Sequence, residues 1–392
     1  MDITIIPGKL QGEITMIPSK SQAHRLLICS AFADKPTSLI CPQTSRDMDA
    51  TADCLNSLGA EISHDGTCYH VKPIHILPQK ADLNCCDSGS TLRFLLPIVG
   101  ALGVDATFHM TGRLPYRPLS PLWEEMQRMG CSLTCPTETT LRCTGKLKAG
   151  QYSIDGGVSS QFITGLLFAL SLLDDKSDLT ITGTLESKPY VDMTLCALKS
   201  FGIDPSMLGG QLFRSPGTIN VEGDWSNGAF FLAAVSLGSN ITVLGLDDDS
   251  PQGDRACRDL LTQLKSHAVT IDAKDIPDLV PILAVVAGAQ KGAEFINIRR
   301  LRLKESDRVE SVIQLLTALG GKAEATEDTL TVFPTGYLGG QVDSVGDHRI
   351  AMAAAIAATV CKQPVTILGA DAVNKSYPQF WEEYRRLGGK YE

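Results

Sequence analysis

Five short stretches of this chain set a lysine or arginine within a few residues of a side chain suited to capping a helix. SKSQAHR carries Lys20, Ser21 and Arg25, and DSGSTLR carries Asp87, Gly89, Ser90 and Arg93. KESDR carries Lys304, Glu305, Asp307 and Arg308; GDHR carries Asp347, His348 and Arg349; NKSYPQF carries Asn374 and Lys375. A sixth stretch, GGVSSQF, brings Ser159, Ser160 and Gln161 without a cation. Read as helix starts, these stretches put positive side chains at the positive end of the macrodipole, which costs about 0.3–1 kcal/mol each. One such case is a solvated cap with its long side chain bent into water. Several together predict that something anionic sits there, because free backbone N–H groups beside Arg or Lys form an anion site. Arginine suits bidentate binding of phosphate or carboxylate, while lysine acts as a point charge.

The elements that must hold these residues show themselves as a repeat. An apolar residue, two variable residues, an apolar residue and Gly recur at LNSLG (Gly59), MQRMG (Gly130), LKSFG (Gly202), LTALG (Gly320) and YRRLG (Gly388). LTQLK is a degenerate copy with Lys265 at the Gly position, and the intervals run from 55 to 72 residues. Such a motif is a helix end: an apolar i, i+3 pair, then a Gly free to take the left-handed C′ conformation before a strand. Six copies, three on each side of residue 222, predict six small α/β units rather than a solenoid.

The chain has 392 residues, with 43% hydrophobic and 20% charged, which is ordinary for a globular protein of two to three domains. Its net charge of −9 and lack of a basic run argue against nucleic acid and anionic membrane surfaces as partners. The apolar runs Ile163–Leu173 and Leu279–Ala289 are too short to span a bilayer and read as core helices. Twelve cysteines show no C-x-x-C pair and no zinc spacing, so no metal is expected. The start MDITIIPGKL lacks a charged region followed by an apolar core. A cytoplasmic protein with free thiols is the expectation.

SKSQAHR, DSGSTLRFLLP, LPYRPL, GGVSSQF, ESKPYVDMT, EGDWSNGAFFLAA, LKESDRVES, GDHRIAMAAAIAA and NKSYPQFW follow one another in this order. Together they resemble the 5-enolpyruvylshikimate-3-phosphate synthases, from about residue 5 to the C-terminus. The resemblance implies an α/β fold, a two-domain inside-out α/β barrel. Each domain would hold three βαβαββ repeats, with helix N-termini facing the interdomain cleft. One domain, binding the shikimate phosphate, would span 19–221; the other would combine 1–18 with 222–392. The implied reaction moves the enolpyruvyl group of phosphoenolpyruvate to the 5-hydroxyl of shikimate 3-phosphate and releases phosphate. It implies no cofactor, no metal and a monomer.

By match to the family motifs, Lys20, Ser21 and Arg25 would hold shikimate 3-phosphate, with Ser159, Ser160 and Ser187 on its phosphate. Gln161 and Lys20 would touch both substrates, and Lys304 would contact shikimate 3-phosphate. Gly89, Arg117, Arg308, Arg349 and Lys375 would bind phosphoenolpyruvate. Asp278, otherwise read as a helix cap, would accept the proton of the 5-hydroxyl and contact shikimate. Glu305, otherwise a surface partner of Lys304, would protonate the methylene carbon, with Lys20 as the other candidate. Asp87, Phe94 and Arg300 depart from residues that many members carry. The loop GRLPYRP, residues 112–118, has no Cys before Arg117-Pro118, which argues against the related UDP-N-acetylglucosamine enolpyruvyl transferases. An RNA 3′-phosphate cyclase of related fold would want a basic surface, and a mere binding protein would not need Asp278, Glu305 and Lys20 together.

Overall fold

The computed structural model describes residues 1–392. The chain divides into two compact units, one of Pro18–Val221 and one of Met1–Ile17 with Glu222–Glu392. Each has its own hydrophobic core. No helix is long and apolar enough to cross a membrane.

In the Pro18–Val221 unit, the first repeat holds α1 (Lys20–Ala31) and α2 (Arg46–Ser57). Its sheet runs Thr218–Asn220, Thr37–Ile40, Cys68–Lys72, Glu61–His64 in space, one parallel pairing followed by two antiparallel ones. The second repeat, with α3 (Gly89–Leu102) and α4 (Leu122–Arg128), has the same plan: Lys80–Cys86, Asp105–Met110, Thr140–Gly145, Cys131–Thr137. The third, with α5 (Ser160–Ser171) and α6 (Lys188–Ser200), keeps only the parallel pair Gln151–Asp155 and Asp178–Thr182. A single bridge from Ser177 to Leu208 stands where its hairpin would be.

The other unit follows the same plan. Its first repeat, with α7 (Trp225–Ser236) and α8 (Cys257–Ser266), has only the parallel pair Gln11–Thr15 and Asn240–Leu244. The second, with α9 (Val280–Ala289) and α10 (Arg308–Ala318), orders its strands Val269–Asp272, Ala293–Ile296, Thr329–Phe333, Lys322–Ala325. The third, with α11 (His348–Ala358) and α12 (Phe380–Arg386), borrows Ile3–Ile6 for the order Gly340–Asp343, Val365–Leu368, Ile3–Ile6, Lys390–Tyr391. Three repeats per unit are therefore present, and one in each lacks its hairpin.

The two helices of a repeat do different work. The first is apolar on nearly every side: α5 and α11 bury almost all of their residues and α9 all but its end. A helix apolar all round belongs in a core. Gly165 of α5 shows how closely such helices pack, since a Cβ there would lie 2.2 Å from the Arg93 carbonyl oxygen of α3. The second helix ends at the repeated glycine. Gly59, Gly130, Gly202, Gly320 and Gly388 all have positive φ, between +74° and +115°. At the degenerate copy α8 runs through Lys265, and His267 leaves it in extended conformation. The motif thus marks the ends of second helices, while the candidate functional residues gather at helix starts of both kinds, Arg308 and Ser187 at second helices among them.

Candidate functional site

In the Glu222–Glu392 unit one fully buried guanidinium organises the site. Asp307 caps α10, its side chain accepting from the Glu310 N–H, and Arg308 is the first helical residue. Arg308 donates from Nε to Asp347 Oδ2 at 2.9 Å, from Nη1 to Asp278 Oδ1 at 2.5 Å and from Nη2 to Glu305 Oε2 at 2.6 Å. Arg349, two residues past the Asp347 cap of α11, donates from Nη2 to Asp278 Oδ2 at 2.9 Å and from Nη1 to the Asp278 carbonyl at 3.3 Å. The Lys304 Nζ lies 3.9 Å from Asp278 Oδ1. Asp347 itself has no exposed surface; it also accepts from the Arg349 N–H at 2.9 Å and from Ser306 Oγ at 3.1 Å.

This arrangement decides the charge states. Burial opposes a charge on Asp278, but Arg349, Lys304 and Arg308 outweigh it and hold its carboxyl well below the usual range. Burial likewise opposes the Arg308 charge, and Asp347, Glu305 and Asp278 more than restore it. Lys304 goes the other way: burial lowers it to about 8, although Asp278 pulls it up. Asp254, buried beside this cluster, is pushed up to about 7 by burial and then by the Asp278 charge. The result is a set of cations whose counter-ions are carboxylates, which an incoming phosphate or carboxylate can replace in kind.

The Pro18–Val221 unit pairs Lys20 with a carboxylate and holds the buried Arg25 differently. Ser19 caps α1, and Lys20 at the first position reaches Asp47 Oδ2 at 2.9 Å. Arg25 is buried, and its partners are neutral. Nε donates to Thr194 Oγ1 at 2.8 Å, Nη1 to the Ser21 carbonyl at 2.6 Å and Nη2 to the Tyr190 carbonyl at 2.7 Å. Ser159 caps α5, accepting from the Gln161 N–H at 3.3 Å. The Gln161 amide is fixed at both ends, by Arg93 Nη1 on Oε1 at 2.9 Å and by Ser90 Oγ under Nε2 at 3.0 Å. Ser88 caps α3, which starts at Gly89. A Cβ on Gly89 would sit 2.7 Å from Arg117 Nη1 and 2.8 Å from Arg93 Nη1.

The structure therefore gathers Asp278, Lys304, Glu305, Arg308 and Arg349 into one cluster, and Gly89, Arg93, Arg117 and Gln161 into another. Lys20, Ser21 and Arg25 share α1, and Arg25 joins the second cluster at α5, where its Nη2 donates to Thr164 Oγ1 at 3.4 Å. Ser160 opens α5 beside the Ser159 cap. Ser187 stands at the start of α6 in a left-handed conformation, φ +56°, and makes no capping bond. Three expectations need correcting. Asp278 is not a helix cap: Leu279 takes that place, and the carboxylate is drawn to the two arginines. Glu305 pairs with Arg308, three residues on, rather than with Lys304. Lys375 does not open a helix. It closes a short 3-10 turn, Ala370–Lys375, and α12 starts only at Phe380, because Pro378 turns Tyr377 away from helical geometry. Lys375 is nonetheless buried, at 7% exposure. Sequence reading passed over Asp347 as an arginine holder and Asp47 altogether. The first had a signal, an Asp beside His348-Arg349 at the head of an otherwise apolar helix. The second had none, since its partner Lys20 is far along the chain.

The family model for EPSP synthase (3-phosphoshikimate 1-carboxyvinyltransferase) matches residues 5–384. The 3-phosphoshikimate 1-carboxyvinyltransferase of Clostridium kluyveri is 40% identical, over 100% of this chain and 98% of its own. That of Clostridium novyi is 39% identical over 99% and 98%, and that of Clostridioides difficile 36% over 100% and 98%. Among solved structures, an EPSP synthase from Acinetobacter baumannii superposes with a TM-score of 0.82 at 22% identity, over 100% and 99% of the two chains. The enolpyruvyl transferase NikO from Streptomyces tendae gives 0.75 at 16%, over 100% and 98%. At those identities the structures speak for the fold alone. The sequence match, nearly end to end, speaks for more: this chain belongs to the EPSP synthase family.

Proposed function

We propose that this protein transfers the enolpyruvyl group of phosphoenolpyruvate to the 5-hydroxyl of shikimate 3-phosphate, giving 5-enolpyruvylshikimate 3-phosphate and inorganic phosphate. Beyond the family likeness, one observation carries the reading: a buried Arg308 shared by Asp278, Glu305 and Asp347. Both substrates carry a phosphate and a carboxylate, and the site holds cations whose present partners are carboxylates.

In this reading the Pro18–Val221 unit binds shikimate 3-phosphate. Ser159, Ser160 and Ser187 take its phosphate, and Lys20, Ser21, Arg25 and Gln161 take the rest. Asp278 and Lys304 complete the set. Gly89, Arg117, Arg308, Arg349 and Lys375, with Lys20 and Gln161, take phosphoenolpyruvate. Proton transfer follows from the charge states. A carboxylate held by two arginines is a weak base, so Asp278 is poorly placed to accept a proton before substrate arrives. Anionic groups that draw Arg308 and Arg349 away raise its proton affinity just when the 5-hydroxyl is to be deprotonated. Once its bond to Arg308 is broken, Glu305 takes up a proton from solvent and delivers it to the methylene carbon. C2 then becomes cationic, and the hydroxyl oxygen adds to it as its proton passes to Asp278; the tetrahedral ketal loses phosphate, which carries off the Asp278 proton, and one methyl proton, which returns to Glu305, and the enol ether is restored. The cations stabilise charge on phosphate and carboxylate as it shifts.

The same reading makes the chain a cytoplasmic monomer, and sedimentation equilibrium checks the second part. Its twelve cysteines are all free thiols, as a reducing compartment keeps them. Purified protein given phosphoenolpyruvate and shikimate 3-phosphate should release phosphate, with EDTA present. Release with UDP-N-acetylglucosamine as acceptor instead, or no release with either, would overturn the reading.

A further inference from the structure

Beneath the substrate-facing helix starts of the Pro18–Val221 unit runs a chain of buried hydrogen bonds that none of the proposed roles uses. His24 Nδ1 meets Thr51 Oγ1 at 2.7 Å, Thr51 Oγ1 meets Thr91 Oγ1 at 2.7 Å, and Thr91 Oγ1 meets Ser88 Oγ at 2.7 Å. All four residues are completely buried. They tie three helices together. His24 lies one turn past Lys20 in α1, Thr51 one turn past Asp47 in α2, and Thr91 in the first turn of α3, with Ser88 its cap.

The direction of the chain can be assigned. His24 Nε2 is buried with no hydrogen-bond partner. An N–H there would be an orphaned donor, which is the costlier error. The proton therefore sits on Nδ1 and is donated to Thr51. Burial, which lowers the imidazole to about 3, keeps the ring neutral. Thr51 then donates to Thr91, and Thr91 to Ser88, one proton per link. The Ser88 oxygen also accepts the Thr91 N–H at 3.3 Å, so the last link and the helix cap share one atom. Phe94 stands edge-on to the His24 ring, centroids 6.3 Å apart, and limits its rotation.

We infer that His24, Thr51 and Thr91 are positioning residues for phosphoenolpyruvate: their one-way chain fixes the Ser88 cap, and with it the Gly89 backbone, against α1 and α2. The inference rests on the proposed enolpyruvyl transfer for its substrate, though not for the chain itself. If the chain is cut, the Thr91 hydroxyl is free to turn to the Asp47 carbonyl, 3.5 Å away, and the cap loses a donor. Gly89 lies at that cap, while Ser159, Ser160 and Ser187 are on other helices. The two substrates should therefore respond unequally.

Thr51→Val and Thr91→Val keep shape and remove the link. Each should raise KM for phosphoenolpyruvate roughly five- to tenfold, with KM for shikimate 3-phosphate within about twofold and kcat changed less than KM. Thr51→Ser and Thr91→Ser keep the hydroxyl and should stay within about twofold of the parent on all three. Equal rises in both KM values, or Ser variants as impaired as Val variants, would overturn the inference. A second measurement does not depend on turnover. Nitrogen-15 spectra of the labelled full-length protein should show His24 with a protonated Nδ1 and a bare Nε2, and Thr51→Ser should leave that pattern unchanged. The opposite tautomer would refute the chain even in an active enzyme. The expected tautomer in a protein that releases no phosphate would uphold the chain and sink the proposed reaction.

Discussion

The two clusters solve the same problem with different partners. Arg308 is buried among three carboxylates, whereas Arg25, equally buried, is held by two backbone carbonyls and threonine hydroxyls. Neutral acceptors leave the Arg25 charge uncompensated, and burial lowers it to about 10. Carboxylates push Arg308 well above its ordinary value. A carboxylate partner can be exchanged for a substrate carboxylate or phosphate that keeps the arginine charge compensated, while a carbonyl partner is part of the backbone and stays. The first cluster is thus built to change partners, and the second to hold geometry.

The largest expected effect tests this contrast directly. Arg308→Ala would leave Asp347, which has no exposed surface, without its guanidinium and take one from Glu305, while Asp278 would keep Arg349 and Lys304. Breaking a buried ion pair from one side costs about 3–5 kcal/mol. Arg25→Ala removes a donor from neutral groups that can partly satisfy each other, since Thr164 and Thr194 already meet at 2.8 Å. Its cost should be about 1–3 kcal/mol. Urea midpoints at constant m-value measure both. If Arg25→Ala proves as damaging as Arg308→Ala, the contrast is wrong.

Catalysis sharpens it next. Asp278→Asn and Glu305→Gln keep shape and remove proton transfer, so kcat should fall roughly 10²–10⁴-fold with modest change in KM. If Glu305→Gln turns over like the parent, Lys20 becomes the better candidate for the acid. Glu305 would then serve only to hold Arg308.

How much of this was legible in the sequence differs between the two clusters. Ser159, Asp307 and Asp347 cap the helices expected of them, and Ser19 and Ser88, rather than the Ser21 or Asp87 singled out beside them, cap two more, because a cap is a local contract between a side chain and an N–H two or three residues on. The repeated glycine was legible for the same reason. The hidden part is non-local. The acceptors of Arg25 come from α6 as well as its own turn, and Asp47 meets Lys20 across two helices. The missing hairpins were hidden too, since the motif that marks each repeat ends its second helix and carries no information about strand pairing beyond it. Lys375 misled because a Lys next to Ser resembles a helix start, and only Pro378 told otherwise.

A pH profile separates the clusters without mutation. Lys304, lowered to about 8, should lose its proton well before Arg25 at about 10. KM for shikimate 3-phosphate should therefore rise above about pH 8, and Lys304→Arg should move that limb upward. Stability should respond with the opposite sign. Below about 8 the group is charged folded and unfolded, and burial penalises the fold fully; between there and the ordinary value of 10.5 the folded state sheds its proton first, and the penalty fades. A limb that survives Lys304→Arg unmoved would assign it elsewhere.

The smallest effect on the fold tests the second cluster at its most confined point. Gly89 opens α3, where a glycine weakens the helix, so substitution by alanine should favour the helix by up to about 1 kcal/mol. The added Cβ would meet only the guanidinium ends of Arg117 and Arg93 at 2.7 and 2.8 Å, not backbone. Flexible side chains can yield, so Gly89→Ala should stay within about 1 kcal/mol of the parent in urea. The groups that yield, though, are Arg117, proposed to bind phosphoenolpyruvate, and Arg93, which fixes Gln161. KM for phosphoenolpyruvate should rise while that for shikimate 3-phosphate changes little, because the serines on α5 and α6 are untouched. An inhibitor that fills the phosphoenolpyruvate pocket and extends beyond it should lose more affinity than the substrate does. Equal losses for both substrates would mean that the start of α3 had shifted as a whole. The second cluster would then be no more rigid than the first.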